Sequence, residues 1–500
     1  MSWLTVGNTC AAAVCGAVLI AAAPALAGPS AAAPTNPYAE QATAAASWQA
    51  HELVDGGIPG FAGSDWGLTI DTVFALAATG ANPAALNAST DAVAANVRKY
   101  NGAGDEYPDV WIAGATAKIL VGAVAAGRDP KAFGGFDLRR KTLDLVAGPE
   151  AGSAAGRVRD KIPNEPGWLD NSNAFGQSLA VIGLARSGGV PQPVVDFLLK
   201  QQCAVGGFRL SPDAFGSAGA TCDETPNQTL DPDSTGMAVQ ALLAADAESK
   251  SPGARAAADK GAAWLVSIQR ADGSFGGSGP TVESNTNSTG LAGQALAAIG
   301  HKAEAAKAAA WVAKHQITRA NAGKADAEIG TIAYNEAALT SARTEGIPDF
   351  QRDQWRRATP QALLTLADVA LGDLGRKPVE PEPSTTVSAS PTATATPTTT
   401  TSATATPTTS LTQTASASVT TSATASATAS ASTSTTAAGT VGGAAGGSVS
   451  GGGSHSGTTG TGGLAKTGAR IGGLLLLSLG LVGTGIAVRA GARRKNGTHT

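Results

Sequence analysis

Residues 262–276 read AAWLVSIQRADGSFG, an apolar stretch followed by a turn that contains Asp272 and Gly273. This segment aligns with VVDFLLKQQCAVGGF at 194–208, and its first half recurs as AAWVAKHQ at 309–316. A looser copy, AASWQAHELVDGG, begins at Ala45. The apolar residues recur at helical spacing, so each copy predicts an amphipathic helix that ends in a glycine-containing turn.

A second repeated segment follows the first along the chain. Residues 172–188, SNAFGQSLAVIGLARSG, align with residues 284–300, SNTNSTGLAGQALAAIG. Residues 65–80, DWGLTIDTVFALAATG, align with both segments. STGMAVQAL, which begins at Ser234, matches STGLAGQAL, which begins at Ser288. Each repeat therefore consists of an outer helix, a turn, a variable loop and an alanine-rich inner helix.

These repeats predict an all-α fold of about six helix pairs. Small residues suit an inner ring, where helices crowd together. The segment 349–373 follows the last predicted pair and is expected to pack the ring shut. Inner helices are expected near residues 66–79, 111–126, 172–187, 231–245, 286–299 and 331–344.

The turn of the first repeat carries a family resemblance. Residues 269–276, QRADGSFG, resemble the Gln-to-Trp motif of the squalene cyclase and prenyltransferase repeats, with Phe275 where tryptophan is common. Residues 202–208 are a poorer copy. The resemblance covers residues 36–374 and implies an α/α toroid, in which the motif ties outer helices together. It says little about function, because one fold hosts many activities.

The N-terminus is typical of a secretory signal peptide over residues 1–27. An apolar run at 11–23 is followed by Ala25, Leu26 and Ala27, the small-residue pattern of a cleavage site, so cleavage is expected between Ala27 and Gly28. No lysine or arginine precedes the apolar run. Export is predicted, which places the protein outside the cell.

The C-terminal quarter predicts a surface anchor. Residues 378–463 are nearly all Thr, Ser, Ala, Pro and Gly, a composition that favours a disordered stalk and leaves its glycosylation open. LAKTG at 464–468, an apolar run at 471–488 and a basic tail follow, within 464–500.

Together these C-terminal elements resemble a sortase sorting signal of high-GC Gram-positive bacteria, with Ala465 where proline is usual. The resemblance implies membrane anchoring first, then sortase cleavage between Thr467 and Gly468, and covalent transfer of Thr467 to peptidoglycan. A plain single-pass membrane anchor is the alternative.

Charge and cysteine usage narrow the possible partners. The 500-residue chain has a formal net charge of −3, and its central region has no basic patch, which argues against nucleic acid. Cys10 and Cys15 fall in the signal segment, so Cys203 and Cys222 are the pair left in the exported domain. An oxidising exterior predicts a disulfide between them.

The stretch DPDST at 231–235 has two interpretations. It resembles the Asp-x-Asp-Asp-Thr motif of class II terpene cyclases, with Ser234 in place of the third carboxylate, and this resemblance implies that Asp233 donates a proton beside Asp231. Alternatively, these residues start a helix. In the repeat alignment, Asp231 occupies the same position as Asp65, Asn173 and Asn285. Asp and Asn are both residue types that cap helix N-termini. Capping is favoured for Asp231 and, less strongly, for Asp233.

All inner helices are expected to begin on one face of the toroid, which we call the mouth. Aromatic rings among hydrogen-bonding groups suit a ligand that contains a ring or a glycan, although tryptophans that merely fill space are equally compatible. Asp170 and Asp231 are further catalytic candidates there. The residues expected to bind a ligand at the mouth are Trp66, Trp111, Trp168, Asn173, Asp233 and Tyr334.

The resemblance raises two cofactor questions. Protein prenyltransferases bind zinc through Asp, Cys and His, but this domain holds only three histidines and no Asp-x-Cys, so no metal site is predicted. Cobalamin carriers of the superfamily hold their ligand at such a mouth. They add a small β domain that this chain replaces with a stalk. No cofactor is indicated, and cobalamin stays open as a ligand.

Two functions remain open from the sequence. The leading hypothesis is a wall-anchored protein that displays a toroid on a stalk to bind a small molecule, glycan or protein without catalysis. The alternative is an extracellular enzyme, either terpene-cyclase-like or active on polysaccharide, that uses Asp233 with Asp231 and Asp170.

Overall fold

The computed structural model describes residues 36–61, 63–212, 221–225 and 228–376. Contacts divide the chain into two units, and every described residue belongs to the first, Met1–Lys377 with Thr459–Thr500. The predicted signal peptide, stalk, LAKTG motif and C-terminal membrane helix lie outside the described residues. Within the described ranges, no helix has the length and hydropathy needed to cross a membrane.

The described part of the chain is mostly helical. A short antiparallel hairpin pairs β1 (Ile58–Gly60) with β2 (Gly63–Asp65). The helices are α1 (Ala39–His51), α2 (Trp66–Thr79), α3 (Pro83–Ala95), α4 (Val97–Asn101), α5 (Ala113–Ala125), α6 (Leu138–Asp144), α7 (Ala174–Arg186), α8 (Gln192–Leu199), α9 (Pro232–Ser249), α10 (Ala254–Ile268), α11 (Thr286–Ile299), α12 (Lys302–Lys314), α13 (Glu336–Glu345) and α14 (Asp349–Ala367).

Six helices of the described ranges form a closed inner ring, in the order α2, α5, α7, α9, α11 and α14. Each packs against the next, and α14 closes the ring against α2. Small residues allow this crowding. A Cβ atom on Gly236 would lie 3.1 Å from the carbonyl oxygen of Leu291, and one on Gly290 would lie 2.8 Å from the Cα of Ala362. Glycine at these positions lets neighbouring helices approach closely.

Outer helices cover the gaps between inner ones. Within the described residues these are α1, α3, α6, α8, α10 and α12, and each contacts two inner helices; α10, for example, packs on α9 and α11, while α1 packs on α14 and α2. Outer helices bury one face: α10 buries Ala258, Ala262 and Leu265 and leaves its opposite side to solvent. The predicted α/α toroid is confirmed for this part of the chain.

The predicted position of the sixth inner helix is wrong. The segment 331–344 contributes α13, which packs on the 3-10 helix Gly323–Glu328 and buries only Leu339 and Ala342. Asn335 caps α13 by accepting a hydrogen bond from the Ala338 amide at 3.0 Å, so this helix has the same local start signal as an inner helix. Its few apolar residues cannot support burial on all sides, and α14 takes the inner place.

A threonine of an inner helix ties that helix to the turn that follows an outer helix. Thr289 of α11 accepts a hydrogen bond from the Phe275 amide at 2.9 Å. Thr359 of α14 accepts one from the Ile332 amide at 3.0 Å. Because the turn after α12 is bonded to α14 in this repeated way, α13 is an insertion between an outer helix and its inner partner.

Glutamines after the outer helices join neighbouring repeats. Gln269 Nε2 donates to the carbonyl oxygen of Gly273 in its own turn and, at 2.9 Å, to that of Glu304 in α12. Gln316 repeats the pattern after α12: its Nε2 donates at 2.8 Å to the carbonyl oxygen of Gln41 in α1. The last outer helix is thereby bonded to the first, and the outer layer closes.

The turns of these junctions need glycine. Gly273 has a φ of +91°, and a Cβ atom there would lie 2.6 Å from the carbonyl oxygen of Lys307. Gly206 has a φ of +111° and would meet the carbonyl oxygen of Lys260 at the same distance. Both the left-handed backbone and the close approach exclude other residues, which explains why the repeats share this glycine.

The segment after α14 packs against the end of the ring where the inner helices finish. The Leu371 amide donates to Gln240 Oε1 at 2.8 Å, and Gln294 Nε2 donates to the carbonyl oxygen of Val369 at 2.6 Å. Arg186, the last residue of α7, donates to the carbonyl oxygens of the same segment. Because this segment covers that end of the ring, a site is expected at the opposite end, the mouth, where the inner helices begin.

Candidate functional site at the mouth of the toroid

Side-chain caps start four of the inner helices. Asp65, Asn173, Asp231 and Asn285 each accept a hydrogen bond from the amide three residues ahead, at 2.6–3.0 Å. These are the four capping residues predicted from the repeat alignment. Each cap satisfies a first-turn amide that has no partner within the helix, a contribution of about 1 kcal/mol.

Asp231 has both carboxylate oxygens engaged in local structure. Oδ1 accepts from the Ser234 amide at 2.6 Å, and Oδ2 accepts from the Ser278 hydroxyl at 2.5 Å. Only 5% of its surface is exposed. These contacts assign Asp231 a role in holding the helix start and the loop before α11.

Asp233, two residues further on, lies in a different environment. It is 3% exposed, and its Oδ2 is so close to the backbone of Gly277 that a Cβ atom there would be 3.0 Å away. The same Cβ atom would be 3.2 Å from the hydroxyl of Ser288 on α11. Burial, and after it the charge of Asp233, raises the pKa of Tyr334 to about 12. Asp233 and Tyr334, both predicted for the mouth, therefore lie near each other.

Buried polar groups from three neighbouring inner helices accompany Asp233. Asn287 Nδ2 donates to Gln361 Oε1 at 2.5 Å, which links α11 to α14. Among the described residues, Ser234 Oγ, Ser288 Oγ, Asn287 Oδ1 and Gln361 Nε2 are buried and have no hydrogen-bond partner. Such groups are costly to bury and point to unfilled binding capacity. We call Asp233, Ser234, Asn287, Ser288 and Gln361 the polar cluster.

Most of the polar cluster was not predicted from the sequence, although a signal exists. DPDST at 231–235 and NTNST at 285–289 are the same pattern, with Asn287 and Ser288 in the places of Asp233 and Ser234. Reading the two repeats together would have identified both pairs. Gln361 could not be found in this way, because α14 was not recognised as an inner helix.

The predicted tryptophans lie against other partners. Trp111 packs edge-on against Phe136, with the Arg98 guanidinium 4.0 Å from its ring centre. Trp168 packs edge-on against Tyr107 at 5.1 Å, and Trp66 lies half-buried against the apolar core. Asn173 is occupied by its cap. Of the predicted ligand-binding residues, Asp233 and Tyr334 thus interact electrostatically, and the other four have separate local contacts.

Asp170 belongs to a network that includes a residue missed at the sequence level, Asp160. Asp170 Oδ1 accepts from the Asp160 amide at 3.2 Å and lies in the same loop as Arg157. Asp160 in turn accepts a hydrogen bond from the amide of Ala113 at 2.8 Å and so caps the start of α5. The residue at the cap position of α5 is Ile112, whose side chain cannot accept this bond. Burial, and then the charge of Asp170, raises the pKa of Asp160 to about 6.

Cys203 and Cys222 are joined by a disulfide, with their Cα atoms 4.9 Å apart. The amide of Ala204 donates to the Asp223 carboxylate at 2.9 Å, beside the bond. The bridge closes the loop between α8 and α9, whose end is Leu230. There the chain pairs with Arg209 before it enters α9. The disulfide therefore constrains the segment that leads to Asp231 and Asp233.

Two further observations concern ligands. No group of three His, Cys, Asp or Glu side chains in the described ranges is arranged to hold a metal ion. A groove of about 490 Å³ lies beside the start of α14, with Lys324, Glu328, Glu345, Ile347 and Phe350 among the residues that line it. The polar cluster does not line this groove.

No protein-family model and no curated protein matches the chain. Among solved structures it is similar to an unsaturated glucuronyl hydrolase specific for heparin, with 11% identity, 67% of this chain and 98% of that chain covered, and a TM-score of 0.46. An inactive variant of the α-1,6-mannanase GH76A of Salegentibacter sp. HEL1_6 has 11% identity, coverage of 67% and 99%, and a TM-score of 0.44. The ent-copalyl diphosphate synthase from Streptomyces platensis has 20% identity, coverage of 61% and 50%, and a TM-score of 0.37.

Proposed function

We propose that the toroid is an enzyme whose active site is the polar cluster, with Asp233 as the group that exchanges a proton with the substrate. The observation that carries this proposal is the burial of Asp233 beside hydroxyl and amide groups at the mouth. A carboxyl group enclosed in this way is a common means of obtaining general acid–base catalysis.

The fold itself does not require an acid at this position. Asn287 occupies the equivalent place in the next repeat, and Gly67 occupies it two residues after the cap Asp65. Capping is carried out by Asp231. A buried carboxyl that serves no repeated structural purpose is a candidate for function, since burying it costs stability.

The lining of the site favours a hydroxyl-rich substrate. Ser234, Ser288, Asn287 and Gln361 supply donors and acceptors, the groups that sugar hydroxyls bind. A hydrocarbon substrate would instead need an apolar lining. Ser234 also replaces the third carboxylate of the terpene-cyclase motif. The substrate class proposed here is therefore a carbohydrate, and an isoprenoid is disfavoured.

A second candidate is binding without turnover. It is favoured by the engagement of both Asp231 oxygens, because hydrolysis of a glycosidic bond usually needs two available carboxyl groups. Under this alternative the polar cluster holds a glycan and releases it unchanged. Turnover distinguishes the two candidates, since both predict binding.

We further propose that the chain is exported and anchored at the cell surface. The order of an apolar N-terminal run, a Ser/Thr/Pro-rich segment, LAKTG, a second apolar run and a basic tail supports this localisation. Peptidoglycan would then be the covalent partner through Thr467. A surface location is consistent with a carbohydrate substrate that is met outside the cell.

The experiment compares wild-type protein with Asp233→Asn on neutral polysaccharides such as mannan, glucan and galactan, with release of reducing ends as the measurement. Asn has the same shape but cannot donate a carboxyl proton. We expect turnover to fall by about 100-fold or more while the melting temperature changes little. Turnover equal to that of the wild type would show that Asp233 is not the catalytic group.

A further inference from the structure

Residues 276–283, which we call the strap, connect the turn after α10 to the cap of α11. The strap contains the 3-10 helix Gly279–Thr281 and folds back on itself, since the Gly277 amide donates to the carbonyl oxygen of Thr281 at 2.7 Å. Asn285, the α11 cap, holds its far end by donating to the carbonyl oxygens of Thr281 and Glu283 at 3.1 and 3.0 Å.

The strap lies directly on Asp233. The position that a Cβ atom would take on Gly277 is 3.0 Å from Asp233 Oδ2 and 3.2 Å from Ser288 Oγ. Gly276 is equally confined, because a Cβ atom added at this position would collide with the carbonyl group of Val282. Bare backbone therefore covers the acid and one of the two serines of the polar cluster.

A side-chain hydrogen bond also joins the strap to the start of the helix that carries Asp233. It is the hydrogen bond from the Ser278 hydroxyl to Asp231 Oδ2, at 2.5 Å. The other Asp231 oxygen caps α9. Asp231 thus links the helix start and the strap with its two oxygens. Asn173 and Asn285 also cap their helices, but each has a single side-chain oxygen, which the cap already uses.

We propose that the strap is the gate of the site, that the Ser278–Asp231 hydrogen bond is its latch, and that Asp231 is a positioning residue for both. A carbohydrate reaches Asp233 when the latch opens and the strap lifts from Ser288. This inference rests on the proposed function for its biological meaning, but the gate itself can be tested without any turnover.

The test uses the full chain and the variant Ser278→Ala, which removes the latch and leaves the cap of α9 in place. We measure amide hydrogen exchange of the strap and the rate at which a carbodiimide and an amine modify Asp233, located by mass spectrometry. A charge-assisted hydrogen bond of this kind shifts a local opening equilibrium by about tenfold or more. Both rates should rise by about that factor.

Ser267→Ala is the matched control, because the Ser267 hydroxyl is exposed and bonds to the carbonyl oxygen of Trp264 within its own helix. Its exchange and modification rates should equal those of the wild type. Unchanged rates in Ser278→Ala would overturn the latch, and faster strap exchange without faster modification would overturn the cover over Asp233. Loss of turnover in Asp233→Asn bears only on catalysis, so the two proposals fail separately.

Discussion

Two aspartates at the start of α9 lie two residues apart and have different environments. Asp231 is bonded through both oxygens to Ser234 and Ser278, and these bonds explain its presence structurally. Asp233 lies beneath the Gly277 backbone and near Tyr334. At the scale of single residues, the proposed catalytic role therefore falls on the carboxyl of Asp233, while Asp231 holds the helix start and the strap in place.

Asp160 provides a prediction about pH. Its ordinary pKa of 3.8 is raised to about 6 in the folded protein, so the unfolded chain loses the proton first as the pH rises. The contribution of Asp160 to stability should therefore fall between about pH 4 and pH 6 by on the order of 2 kcal/mol, and Asp160→Asn should remove this contribution from the pH profile. Urea unfolding at pH 4 and pH 7 measures it. Parallel pH profiles for the variant and the wild type would contradict the assignment.

At the scale of the elements, the junction glycines provide the next prediction. Gly273→Ala and Gly300→Ala both force alanine into a left-handed backbone, at about 1–2 kcal/mol each. Gly300 has open space around it, whereas alanine at Gly273 meets the carbonyl oxygen of Lys307. Gly273→Ala should therefore cost a further ~1–3 kcal/mol in the free energy of unfolding. Equal losses in the two variants would show that this contact is not tight.

The identity of the sixth inner helix is testable through Thr359. Thr359→Val keeps the side-chain shape but leaves the buried Ile332 amide without its acceptor, which should cost about 1–3 kcal/mol of stability. Thr344→Val on the exposed side of α13 is the control and should change stability by less than about 0.5 kcal/mol. Chemical denaturation measures both. A larger loss at Thr344 than at Thr359 would place α13, not α14, in the ring.

Repeats made the fold largely predictable. The five inner helices α2, α5, α7, α9 and α11 begin within two residues of the predicted positions. The sixth was misplaced because α13 has a genuine cap and helical spacing, and local sequence does not distinguish an inserted helix from an inner one. The bond that decides its place, from Ile332 to Thr359, spans a 27-residue separation that no local pattern records.

The site was predictable only in part. Asp233 stood out as an acid at a helix start, and the repeat alignment separated it from Asp231. The strap, Gln361 and Asp160 could not be inferred, because each acts on a helix distant in sequence. Asp160, for instance, caps a helix whose first residue lies 47 positions earlier. Long-range partners of this kind are determined by packing and not by composition.

At the scale of the whole molecule, one end of the toroid is packed by the segment that follows α14, and the mouth carries the polar cluster. This arrangement places the proposed site on the face opposite to the end where the described chain leaves the ring.

The anchoring proposal predicts a change in cell fractionation. Thr467→Ala removes the residue expected to be joined to peptidoglycan, so the protein should leave the wall fraction that muramidase releases and appear with the membrane instead. Thr461→Ala, which changes a threonine just before LAKTG, should keep its wall linkage. Wall-linked Thr467→Ala protein would exclude the predicted transfer at Thr467, whereas wild-type protein found only with the membrane would indicate a plain membrane anchor.

The most direct test of the central claim is the rate of reducing-end release from mannan, glucan and galactan by the full-length wild-type protein and by Asp233→Asn. The proposed site predicts measurable release by the wild type, a loss of about 100-fold or more in the variant, and a nearly unchanged melting temperature. Equal rates in the two proteins, or glycan binding without any release by the wild type, would contradict a catalytic Asp233.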